Sequence, residues 1–170
     1  LDAALLIGSN IRKDQPLLGL RLRKAFLHDA ALFAVNPVDY DFSFDLKARV
    51  ITDPAAMPAT LARIARVLSE SRHAVLPSEV ATLASGVPSD AEQAIALGLK
   101  EANNASVLVG LFAMAHPQAA LLRSLADLIA ELSGARLGLL PEANGAGGWL
   151  AGCVPQRGVN GAAAQPAGHN

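Results

Sequence analysis

Ala3–Asn10 reads AALLIGSN, five apolar residues halted by Gly8, Ser9 and Asn10. A short apolar run without polar alternation is a strand buried on both faces, and such strands belong to parallel sheets. Ser106–Gly110 repeats the pattern as SVLVG, again closed by a glycine. Two runs that end alike predict two equivalent strand ends near the centre of one sheet. Further out, Leu32–Val35 stops at Asn36 and Pro37, Ala48–Ile51 stops before Asp53 and Pro54, and Leu137–Leu140 stops at Pro141. These are three more predicted strands.

Amphipathic stretches separate the runs. Asp14 and Pro16 mark a helix entry, because proline is tolerated in the first turn. Leu18, Leu22 and Phe26 then recur at i, i+4 and i+8, with Arg21, Lys24 and His28 on another stripe. Met57, Leu61, Ile64 and Leu68 follow the same period, and Arg63, Arg66 and Glu70 are assigned to the wet side. The irregular stretch 71–88 is expected to hold one short helix near Glu79–Ala84. Ser89 and Glu92 have capping-box spacing, which predicts a helix running to about Asn103. Pro117 opens a further helix carrying Leu121, Leu122, Leu125, Leu128, Ile129 and Leu132, and Gly134 is placed to end it. Strands alternating with helices of this length indicate βαβ units, whose right-handed crossovers put helices on both faces of a sheet. The predicted fold class is α/β, with a doubly wound, mostly parallel five-stranded sheet.

The 170 residues include 34 alanines and 27 leucines, and 52% of the chain is hydrophobic against 17% charged. That balance excludes intrinsic disorder, which needs few apolar residues and a large net charge. The single cysteine, Cys153, excludes a disulfide scaffold. A formal net charge of -1 supplies no global field for nucleic acid or an acidic membrane, so neither is expected as a partner. Mean hydropathy is positive, yet no run approaches the roughly 18–20 apolar residues of a membrane span, and no membrane insertion is expected. No signal peptide is read, for there is neither a basic n-region nor an adequate h-region. The chain opens at Leu1 without methionine, two residues before an apolar run. It therefore reads as a piece of a longer protein. After Pro141 glycine dominates, and the small, polar segment 156–170 is expected to be a flexible tail.

Ligands of doubly wound sheets sit at the carboxyl ends of the strands, near the switch point. That edge is predicted to carry Gly8, Ser9 and Asn10, with Arg12 and Lys13 just beyond, a combination able to hold a phosphate or nucleotide. The plainer reading is a strand-to-helix turn with a solvated basic pair. Neither G-x-G-x-x-G nor the P-loop motif is present. Cys153 cannot build a metal site alone, and His28, His73, His116 and His169 show no ligand spacing. Alternation in Asp39–Asp45 would place Asp39, Asp41, Ser43 and Asp45 opposite Tyr40, Phe42 and Phe44. This is read as a wet face above a buried or docking aromatic one, in an edge strand or an extended loop. Asn144–Gly152, with Trp149, reads as a flexible ligand loop or, the reading preferred, as a segment that packs elsewhere in a parent protein, because glycine lets backbone approach a ligand or neighbour closely. No residue is singled out as catalytic or metal-binding.

Four stretches in order, LLIGSNIRKDQPLL, FAVNPVDYDF, SVLVG and GLLPEANGAGGWLAGCVP, resemble the large iron–sulphur subunit of respiratory NADH-quinone oxidoreductase, complex I. More narrowly, they resemble its molybdopterin-oxidoreductase-like region, over residues 1–155. The resemblance implies a Rossmann-like subdomain in a peripheral arm on the cytoplasmic side of the inner membrane. It implies a scaffold and interface role in a parent that passes electrons from NADH to quinone. Its partners would be the other domains of the parent chain and other complex I subunits. In pterin-dependent relatives the equivalent strand-end loop contacts the cofactor's nucleotide. Only Gly8, Ser9, Asn10 and Arg12 carry over onto it, as a cofactor-binding set that is either working or vestigial. Those relatives usually have proline after the asparagine, where this chain has Ile11, a departure that favours the respiratory subunit. The iron–sulphur clusters of such subunits belong to upstream domains, so no cofactor is expected in this segment. Two alternatives stand beside this reading: the nucleotide-binding part of a true molybdopterin-dependent oxidoreductase, and a generic nucleotide-binding module.

Overall fold

The computed structural model describes residues 1–142, 144–155 and 157–164. The chain divides into two compact units, Leu1–Leu140 and Pro141–Asn170, so the break falls where glycine takes over the composition.

In the first unit the five runs become β1 (Ala3–Ile7), β2 (Ala31–Asn36), β3 (Ala48–Ile51), β4 (Ala105–Val109) and β5 (Arg136–Leu139). They form one sheet in the order β3-β2-β1-β4-β5, and every pairing is parallel. The two glycine-closed runs, β1 and β4, are neighbours in register, Ala3 beside Ala105 and Ile7 beside Val109. All five residues of β1 are buried, as a strand covered on both faces requires.

Alternation along the strands sorts the core into two clusters. Ala3, Leu5, Ile7, Phe33, Val35, Val107 and Val109 face helices α3 (Met57–Arg72), α5 (Asp90–Glu101) and α7 (Ala119–Ser133). The short helix α4 (Ser78–Leu83) lies against α3. Ala4, Leu6, Leu32 and Ala34 face the other way, onto α1 (Ile11–Asp14) and α2 (Pro16–Phe26) through Ile11 and Leu22. The fold is therefore α/β, with a Rossmann-like, doubly wound parallel sheet and helices on both faces. Among the described residues no helix is long and apolar enough to cross a membrane.

The β2–β3 crossover holds no helix. The segment from Pro37 to Lys47 runs as a loop, and its Phe42 and Phe44 stack with ring centroids 5.4 Å apart. Phe44 is buried and Phe42 packs beside it, in the same cluster as Leu22 of α2. Phe42 and Phe44 of the Asp39–Asp45 alternation thus cap the sheet face that a crossover helix would otherwise cover.

Local signals explain the helix ends. The Ser89 hydroxyl accepts the Glu92 amide, while the Glu92 carboxylate accepts the Ser89 amide at 2.8 Å. Gly134 closes α7 in the left-handed region, at φ 78°. Met57, Leu61, Ile64 and Leu68 are all fully buried. One assignment is overturned: of the three residues assigned to the wet side only Glu70 is exposed, since Arg66 donates to the Ala84 and Gly86 carbonyls and is half-buried, as is Arg63. The Arg63 guanidinium turns inward to Glu92 of α5, with Nη2–Oε1 at 2.6 Å and Nε within 3.1 Å of both carboxylate oxygens, and it also donates to Thr60. Periodicity places Arg63 on the helix flank but does not show that a buried carboxylate of the next helix waits there.

The second unit contains α8 (Gly145–Ala151), entered through Asn144 and left through Gly152, both in the left-handed region. The Arg157 guanidinium lies 4.4 Å from the centre of the Trp149 ring. Of the segment expected to be a flexible tail, residues 157–164 carry a single 3-10 turn, Val159–Gly161, and one bridge between Arg157 and Ala163. Gln156 and residues 165–170, His169 among them, lie outside the described residues.

Candidate functional site at the carboxyl edge of the sheet

The strand order reverses between β1 and β4, where doubly wound folds open a ligand crevice. Gly8, Ser9 and Asn10 leave β1 at this point, and Gly110 leaves β4 into the short helix α6 (Leu111–Met114). The two strand ends are in close contact. A side-chain carbon on Gly8 would lie 2.6 Å from the Ala113 nitrogen, and one on Gly110 would lie 2.5 Å from the Gly8 carbonyl and 2.6 Å from Ser9 Cα. Gly8 also needs glycine for its backbone, at φ 57°. The Gly110 amide donates to the Ile7 carbonyl at 2.8 Å and the Phe112 amide to the Gly8 carbonyl at 3.1 Å. Both glycines thus permit one backbone to approach the other.

Backbone donors of the loop are used within the protein. The Gly8 amide donates to the Val35 carbonyl at 2.9 Å. The Ser9 amide donates to Asn36 Oδ1 at 2.9 Å, and Asn36 Nδ2 returns a bond to the Ser9 carbonyl at 3.3 Å. Ser9 and Asn36 are both fully buried, so this two-bond clasp ties the end of β1 to the end of β2. The Asn10 amide donates to Asp14 Oδ2 at 3.2 Å. Held this way, the loop presents no free amide at Gly8, Ser9 or Asn10 to a phosphate. The Ser9 hydroxyl is buried without a hydrogen-bond partner. Arg12 is exposed and forms an ion pair with Asp41.

The structure brings Gly8, Ser9 and Asn10 together at the switch point and leaves Arg12 on the rim. The acidic residues of the β2–β3 loop do not converge: Asp39 pairs with Arg49 at 3.0 Å while Asp41 pairs with Arg12. Among the described residues no group of three or more His, Cys, Asp or Glu side chains is placed to hold a metal ion. Cys153 is an exposed free thiol in the second unit. His28 lies exposed against its own helix, with Nδ1 2.8 Å from the Lys24 carbonyl oxygen. His73 closes α3 in the left-handed region.

His116 has a more definite place than its position near a helix start suggested. Its Nδ1 accepts the Gln118 amide at 3.0 Å, which leaves Nε2 to donate to the Pro54 carbonyl at 3.1 Å. The imidazole thereby ties the β3–α3 turn to the α6–α7 turn. It also forms one wall of an open pocket of about 490 Å³, with Asp53, Pro54, Phe112, Pro117 and Gln118 around it. Asp53 Oδ1 is occupied with the Ala55 amide at 2.8 Å. A partner 62 residues away leaves no spacing signal, so sequence reading does not find this tie. Away from this edge, the exposed Glu79 carboxyl is held below its ordinary pKa, first by hydrogen bonding to its backbone and then by the Ser78 hydroxyl.

No family model matches this chain, and no curated protein matches it.

Proposed function

We propose that this chain is a scaffold and interface domain from the molybdopterin-oxidoreductase-like region of the large iron–sulphur subunit of complex I. On this reading the parent passes electrons from NADH to quinone through iron–sulphur clusters held by other domains. The chain supplies packing surface for those domains and for neighbouring subunits, at the cytoplasmic side of the inner membrane, and contributes no catalytic residue. The supporting observation is the closed switch point. The loop that would hold a pterin nucleotide donates its amides to Val35, Asn36 and Asp14 instead, and its arginine pairs with Asp41. The four sequence stretches and the Rossmann-like sheet agree with the same parentage.

The test is co-migration. A tag on the parent gene should travel with NADH-dehydrogenase activity when detergent extracts of membranes are resolved on native gels. A tag that migrates apart from that activity would overturn the assignment. The purified 170-residue chain should also be colourless, and stoichiometric iron or molybdenum by elemental analysis would count against it.

One observation favours the second reading, a nucleotide-binding part of a pterin-dependent enzyme: the Ser9 hydroxyl sits on the loop with no protein partner. A guanine-nucleotide titration separates the two. Saturable binding that is lost in Ser9→Ala and Arg12→Ala would support the second reading, and its absence supports the scaffold.

A further inference from the structure

Helix α2 turns Leu18, Leu22 and Phe26 to the core and leaves a second apolar row outside. Leu17 is 81% exposed, Leu20 62% and Leu27 66%. At about 100° per residue, Leu17, Leu20, Lys24 and Leu27 fall within roughly 80° of one another on the outer face. The spacing is that of alternating a and d positions of a heptad, with a lysine at one of them. Arg21 and Arg23 flank the row on opposite sides, and a shallow groove of about 450 Å³ lies among Leu20, Arg21, Arg23, Lys24 and Leu27. The helix contains no acidic residue. Arg23 donates to the Ser43 carbonyl, while Arg21 and Lys24 have no ion pair among the described residues.

We infer that the outer face of α2 is a docking site for an acidic amphipathic helix of another domain or protein. Its apolar residues would interleave with Leu17, Leu20 and Leu27, and its carboxylates would meet Lys24 and the two flanking arginines. Charge complementarity selects the occupant: the leucine row is interrupted by Lys24 and flanked on the helix by Arg21 and Arg23, and although Asp45 of the β2–β3 loop lines the next groove with Arg23 and Leu27, Arg21 and Lys24 have no ion pair among the described residues and call for carboxylates. The row is narrow and carries Lys24 at its centre, and α2 has no tryptophan. A helix lying in a lipid surface wants a broader apolar face with its cations kept to the opposite side. A coiled-coil-like seam wants the arrangement found here. This docking face is independent of the parentage proposed above: the tag can part from NADH-dehydrogenase activity while the helix still binds, and the reverse.

The test uses the full 170-residue chain and two fluorescent amphipathic peptides with the same leucine row, one bordered by glutamates and one by lysines. The glutamate peptide should give a saturable rise in anisotropy that weakens with added salt, and the lysine peptide should not. Leu20→Glu should weaken the complex by about tenfold or more. Lys24→Glu should shift preference toward the lysine peptide. Both positions are solvent-facing, so circular dichroism should be unchanged in both variants. Equal binding of the two peptides, no binding of either, or an unaffected Leu20→Glu variant would overturn the inference. So would co-sedimentation with phosphatidylcholine–phosphatidylglycerol vesicles that Leu20→Glu abolishes while the glutamate peptide stays unbound, which would make the face a lipid contact.

Discussion

Asn36 terminates β2 and, fully buried, exchanges two hydrogen bonds with the Ser9 backbone. Asn36→Ala leaves the Ser9 amide and carbonyl buried without these partners, which should cost about 1–3 kcal/mol in denaturant unfolding. Ser9→Ala is the instructive contrast. Its hydroxyl has no partner to lose, so the variant should be as stable as the parent or slightly more so, because an unsatisfied buried hydroxyl carries only a desolvation cost. A large loss in Ser9→Ala would show that the hydroxyl is engaged after all. Gly110→Ala meets backbone atoms of Gly8 and Ser9 at 2.5–2.6 Å, which no rotamer relieves. Thermal melts should record a loss of about 2 kcal/mol or more, since a backbone must shift.

At the scale of elements, the Arg63–Glu92 pair links α3 to α5, with the carboxylate side chain only 2% exposed and the guanidinium side chain 21%. Glu92 serves twice, as the capping-box acid of α5 and as the partner of Arg63. Glu92→Ala should therefore cost about 3–5 kcal/mol by urea denaturation, because it leaves a largely buried guanidinium unpaired. Arg63→Met with Glu92→Met should recover much of that loss. A double variant no better than Glu92→Ala would show that the pair is not what couples the helices. Sequence reading found half of this interaction, and the reason is physical. A capping box is local and leaves a three-residue spacing, whereas a salt bridge between residues 29 positions apart leaves none. The central strand was legible for the same reason: burial of β1 on both faces writes itself as an apolar run, and β1 carries the predicted bounds Ala3–Ile7. The edge strand β3 also carries its predicted bounds, Ala48–Ile51, although its residues alternate between half-buried and exposed. The β2–β3 crossover was harder to read. DYDFSFD alternates like a strand, and only the neighbouring α2 face shows that Phe44 is buried by packing outside the sheet. At the site, the loop's position at a strand end was legible from Gly8, Ser9 and Asn10. The fate of its amides was not, because it depends on Asn36 lying one strand away.

At the scale of the whole molecule, both core clusters are built, among the described residues, from positions up to Leu140. A chain ended at Leu140 should keep its helical and strand content by circular dichroism and unfold in one cooperative transition. A molten, non-cooperative product would show that the second unit is needed to complete the core. Among the helices, α2 alone combines leucine and cation without an acid.

The seating of β1 between β2 and β4 has a consequence for synthesis on the ribosome. Ala3–Ile7 emerges among the first residues of this segment and finds Ala31–Val35 soon afterwards. Its other edge must wait for Ala105–Val109. Throughout that interval the nascent chain displays five apolar residues with a row of unmatched peptide groups, an invitation to holdase chaperones or to a neighbouring nascent chain. Slowing translation between codons 36 and 105 should therefore lengthen chaperone occupancy, and a ribosome-profiling experiment on chaperone-bound chains would see release only after β4 has left the exit tunnel.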